Sequence, residues 1–80
     1  MKFTILVVNN KSRDSYRVYI DNGQSKFLVG EYIPKNGIDS KDTRVFAEIM
    51  AENLYSVLMP FSEYDPNGEN PQITHSEEDF

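Results

Sequence analysis

The chain has 80 residues, no cysteine and a net charge of −5 at pH 7, with 39% hydrophobic and 12% aromatic residues. That length predicts one domain near the lower limit for a self-sufficient core, and the apolar content is too high for a wholly disordered chain. The missing cysteine excludes disulfides, thiolate metal ligands and a thiol nucleophile. The longest purely aliphatic run, residues 5–8, is far shorter than a signal core or a membrane span, so a soluble cytoplasmic protein is expected, with no membrane partner.

Residues 2–8 are apolar on both alternating faces, Phe3, Ile5 and Val7 on one and Leu6 and Val8 on the other, as in a central strand covered on both sides. A polar connection, residues 9–14, leads to a β-branched and aromatic run at 16–20, followed by Asp21-Asn22-Gly23-Gln24. Asn-Gly tolerates the positive φ angles of a type I′ turn and predicts a hairpin. A two-residue loop at Asn22-Gly23 pairs Ile20 with Ser25, Tyr19 with Lys26, Val18 with Phe27, Arg17 with Leu28 and Tyr16 with Val29. Paired residues share a face, so Tyr16, Val18, Ile20, Phe27 and Val29 form the expected core face and Arg17, Tyr19, Lys26 and Leu28 the other. A bulge at Gly30 is expected to re-aim Tyr32 and Ile33, because without it Glu31 points inward.

After Pro34 and the turn at Lys35-Asn36-Gly37, Asp39 is placed to cap a helix from about Ser40 to Leu58, with Asp42 near its positive end and Pro60 as its stop. Phe46, Ile49, Met50, Leu54, Val57 and Leu58 make one stripe, with Ala47 beside it, expected to pack on Val18, Phe27 and Val29; Arg44, Glu48, Glu52 and Tyr55 lie roughly opposite. The last twenty residues follow Pro60, carry Pro66 and Pro71 and show no clear period, although Gln72-Ile73-Thr74 is available as a short edge strand. The expected fold is therefore α+β: a small antiparallel β-meander of three strands, with an optional fourth, packed on one amphipathic helix. Residues 1–60 form that β-β-β-α unit and residues 61–80 an acidic tail. All eight Lys and Arg lie in residues 1–60 with seven acids, whereas residues 61–80 hold six acids and no Lys or Arg.

No catalytic residue, metal site or cofactor is expected. His75 is the only histidine, lacks an orienting partner in sequence, and reads as a solvated tail residue. Residues 63–68 half-resemble a calcium loop, but its twelfth position is Thr74 where a bidentate glutamate is needed, so a β-turn is the better reading. Two surfaces remain. Glu48 and Glu52, with the tail acids Glu63, Asp65 and Glu69, are candidates for an anionic partner-binding surface. Arg17, Tyr19, Lys26 and Leu28 on the hairpin offer the basic and aromatic mixture of a nucleic-acid platform, which the net negative charge disfavours. An ordinary solvated face accounts equally for either set. A domain this small without staples also invites a protein partner or a homodimer, and a further alternative is an antitoxin-like or structural oligomer subunit whose second sheet face is the dimer interface.

Met1-Lys2-Phe3, Val18-Tyr19 shortly before Asn22-Gly23, and a capped helix after Asp39-Ser40 resemble features of small phage anti-CRISPR proteins; the resemblance spans about half of the chain and rests on common turn and start residues. The resemblance implies a β-sheet-plus-helix inhibitor that binds Cas subunits of a CRISPR surveillance complex, with acidic groups set against nucleic-acid-binding lysines. It transfers no functional residue.

Overall fold

The structure, a computed structural model, describes residues 2–35, 39–62 and 71–80. Four strands and one long helix build an α+β fold: β1 (Thr4–Asn10), β2 (Ser15–Asp21), β3 (Lys26–Tyr32), α1 (Ser40–Leu58) and β4 (Gln72–Glu77), with a 3-10 turn at Met59–Phe61 after the helix. The sheet order is β3-β2-β1-β4. β1 pairs antiparallel with β2 and parallel with β4, so the sheet is mixed. β3 and β4 therefore run in the same direction, which no tight turn can accomplish, and α1 supplies the crossover between them. β1 is internal, as its two apolar faces require.

Gln72-Ile73-Thr74 belongs to a longer strand, paired with β1 at six positions from Thr4/Gln72 to Asn9/Glu77. The residues after it return over the sheet. Glu78 N–H donates to Asn9 O, the Asn10 side-chain amide donates to Phe80 O at 2.7 Å, and the Phe80 ring lies 4.1 Å from the Arg17 guanidinium. Phe80 thus covers one end of the helix-free face, where Arg17 is the cross-strand neighbour of Val8.

The hairpin forms where expected but in another register. Asp21 opposes Lys26, Ile20 opposes Phe27 and Tyr19 opposes Leu28, so the pairing is displaced by two residues. Side chains explain the displacement. Asn22 Oδ1 accepts the N–H groups of Gln24 and Ser25, and Asp21 Oδ1 accepts that of Gly23, so the chain closes through Asn22 N–H to Ser25 O around Gly23-Gln24. Gly23 takes φ +90. An even displacement leaves the faces unchanged near the turn, and Arg17, Tyr19, Lys26 and Leu28 do share the helix-free face. Beyond Leu28 the ladder slips at Val29, and Val18, Arg17 and Tyr16 oppose Gly30, Glu31 and Tyr32. The bulge turns Glu31 outward and Tyr32 toward the helix. Gly30 leaves room for that side chain, because a Cβ there would stand 3.0 Å from the Tyr32 hydroxyl.

α1 spans Ser40–Leu58, and Pro60 falls in the turn that ends it. Asp39 is the N-cap residue, but its side chain makes no capping hydrogen bond; its carbonyl accepts the first helical N–H groups instead, from Asp42 and Thr43. The expected stripe is corrected by rotation. Ala47 and Ala51 are fully buried against Ile5, Val7 and Val18, with Met50, Leu54, Tyr55 and Leu58 packed around them. Phe46, Ile49 and Val57 are exposed. Two alanines bring the helix axis close to the sheet, and the apolar arc of α1 is wider than the strip of sheet beneath it, so one flank stays outside. Phe27 and Val29, expected beneath the helix, are exposed as well because β3 is an edge strand.

Candidate functional site

Two contacts fix which flank of α1 faces which edge of the sheet. The Phe46 ring sits 6.3 Å from that of Tyr32 on β3, and Glu48 reaches His75 on β4 at 2.8 Å. The apolar flank therefore overhangs β3 and the acidic flank faces β4. His75 is no isolated tail histidine. Its backbone is paired opposite Val7, which places its ring on the helix side of the sheet, 27 residues from its carboxylate partner.

Between α1 and β4 lies a shallow cleft of about 290 Å³ whose polar lining includes Asn9, Tyr16, Arg44, Glu48, His75 and Glu77. Asn9 is one of its lining residues, and the Asn9 Oδ1 is buried with no hydrogen-bond partner among the described residues. A buried acceptor without a donor is costly. Glu77 is also bound by Lys11 at 3.2 Å, in the open, where such a pair contributes little. Beyond Glu77 a second shallow depression is lined by Lys11, Glu77, Glu78 and Asp79. This side of the molecule thus gathers Glu48, Glu77, Glu78 and Asp79, with exposed Glu52 one turn along the helix, against Lys11 and Arg44. Asn9, His75 and Glu77 had no local signature in the sequence; only pairing of β4 with β1 brings them to Glu48. The tail acids Glu63, Asp65 and Glu69, and most of the calcium-like segment, lie outside the described residues.

The alternative surface exists as a face but is largely neutralised. The Arg17 guanidinium is hydrogen-bonded by Glu31, and the phenol of Tyr19 is a second partner; both hold its pKa above the ordinary value. Phe80 covers it from the other side. Lys26 leans over the Tyr19 ring, 4.7 Å from its centroid, and its cross-strand neighbour is Asp21.

Among the described residues no cluster of three or more His, Asp and Glu side chains is arranged to hold a metal ion, and no helix is long and apolar enough to cross a membrane. The chain matches no protein-family model, no curated protein and no solved structure.

Proposed function

We propose that this chain is a non-enzymatic protein-binding module that engages a basic partner through the cleft between α1 and β4. The supporting observation is the convergence of Glu48 and Glu77, from distant parts of the chain, on one cleft. Two carboxylates ask for a donor-rich cation, which is the chemistry of an arginine or lysine side chain. Tyr16 adds an aromatic wall, and Arg44 sets the opposite rim. The resemblance to anti-CRISPR proteins lends this reading its concrete form, an inhibitor that sets acids against the nucleic-acid-binding cations of a host complex.

The test is binding of an arginine-rich peptide and of a DNA duplex, each at low and at physiological salt. Peptide binding that weakens with salt and is lost in the Glu48→Gln, Glu77→Gln double variant is the expected result, since screening shortens the reach of exposed charges to about 8 Å at physiological ionic strength. Retention of the duplex by the native chain, with loss in Arg17→Ala or Lys26→Ala, would overturn the proposal in favour of the hairpin face.

A further inference from the structure

The flank of the molecule opposite the acidic cleft carries a second surface. Among the described residues β3 has β2 on one side and no strand on the other, so its outer edge presents unpaired backbone groups. Natural edges are commonly protected by proline, by several charges or by a covering element. β3 contains no proline. It begins at Lys26, and its one carboxylate, Glu31, is committed to Arg17 on the helix-free face. Its middle is Phe27, Leu28 and Val29, all exposed.

Phe27 and Val29 do not stand alone. α1 runs antiparallel to β3, with Phe46 beside Tyr32 at one end. Residues 46, 49, 53 and 57 recur on the same flank, so Ile49 and Val57 follow Phe46 along the groove above the β3 edge. Phe27 is 54% exposed, Phe46 44%, Ile49 49% and Val57 60%, and Ile33 continues the patch beyond Tyr32. These side chains together leave about 500 Å² of apolar surface in water, at the upper end of what a monomer usually shows and more than half of the ~800 Å² each partner contributes to a stable interface.

We propose that this flank is the interface of a two-fold dimer, in which the β3 edges of two copies pair antiparallel and the apolar flanks of the two α1 helices close over the seam. The occupant is a second copy because the patch contains both halves of its own complement, a free edge and an apolar overhang. A two-fold axis perpendicular to the sheet keeps both helices on one side, so Phe46, Ile49 and Val57 of each copy face those of the other. The bulge at Val29 interrupts the edge, so hydrogen-bonded pairs form on either side of it and side chains carry most of the contact. Charge does not oppose the seam. Glu48, Glu77, Glu78 and Asp79 lie on the β4 side, at the far end of the sheet from β3, and the one carboxylate of β3, Glu31, is paired with Arg17.

Sedimentation of the full chain from low-micromolar to submillimolar concentration tests the proposal. The expected result is a reversible monomer–dimer equilibrium that Ile49→Glu shifts to monomer by at least tenfold in dissociation constant, with an unchanged circular dichroism spectrum. Phe27→Lys, on the strand, should do the same, and this second position guards against a misfolded helix variant. Leu28→Lys, on the helix-free face, should leave the dimer intact. A monomer at every concentration would overturn the proposal and leave the flank to a different protein. A dimer broken by Leu28→Lys and not by Ile49→Glu would also overturn it, moving the interface to the helix-free face.

Discussion

Ile5 and Ile49 are chemically identical and occupy opposite environments, so truncating each to alanine measures the rotation of α1 directly. Ile5 is 0% exposed, between Ile20 of β2 and Ile73 of β4 and in the cluster beneath Ala47 and Ala51. Ile5→Ala removes three buried carbons, about 2.4 kcal/mol at ~0.8 kcal/mol each, and a residual cavity adds to that, within the 2–5 kcal/mol usual for such changes. A domain of this length holds roughly 4–12 kcal/mol in total, so a large share of its stability is at stake. Ile49 is 49% exposed. Its truncation forfeits about half of the transfer term and regains a few tenths through the helix propensity of alanine, a net loss of about 0.5–1 kcal/mol. Urea unfolding followed by circular dichroism at low protein concentration, where the monomer dominates, gives both values. Ile5→Val, expected to cost about 0.5–1.5 kcal/mol, provides a folded companion should Ile5→Ala not fold. An Ile49→Ala loss equal to or greater than that of Ile5→Ala would refute the placement of the helix and restore Ile49 to the core.

Gly23 has φ +90 with open space around its Cα, so Gly23→Ala should destabilise by about 1–2 kcal/mol through backbone strain alone, read from the urea midpoint. A neutral result would show that the loop relaxes into another turn. Asn10 is buried, donates to Phe80 O and accepts from the Ser12 N–H, and Asn10→Ala should cost about 1–3 kcal/mol with loss of hydrogen-exchange protection at Glu78, whose N–H is bonded to Asn9 O; unchanged protection there would mean that the last residues are held by other contacts.

Much of this fold is legible where the signal is local. Asn22-Gly23 marks the hairpin, Asp39-Ser40 and Pro60 bracket the helix, and the doubly apolar run at residues 5–8 marks an internal strand. Register was not legible, because Asp21 and Asn22 use their side-chain oxygens on the loop backbone and move the closure point by a residue or two. The rotation of α1 was hidden by the breadth of its apolar arc: Ala47 and Ala51 carry little hydrophobic weight, yet their small size decides which face touches the sheet. β4 has one large aliphatic residue, Ile73, among polar neighbours, so its place comes from backbone pairing with β1 and not from side-chain pattern. Glu48 and Glu52 were visible as an acidic flank, whereas the cleft they border depends on that distant pairing.

The two proposed surfaces lie at opposite edges of one sheet, and this arrangement has a consequence for affinity. Pairing through β3 makes a continuous eight-stranded sheet with a β4 edge at each end, and seven strand spacings set the acidic clefts about 34 Å apart before twist. A partner that repeats its basic site at that distance engages both clefts, and the second contact forms at the effective concentration set by the first. Each cleft is shallow and its charges are solvated, so one contact alone is weak and salt-sensitive. Two in register convert weak sites into a strong one without any new interaction. Ile49→Glu then has a signature that separates avidity from local chemistry: it leaves binding of a single arginine-rich peptide unchanged while weakening capture of two such peptides joined by a long flexible linker. Equal affinity of native chain and variant for the linked peptide would show that the clefts act singly, whatever the oligomeric state.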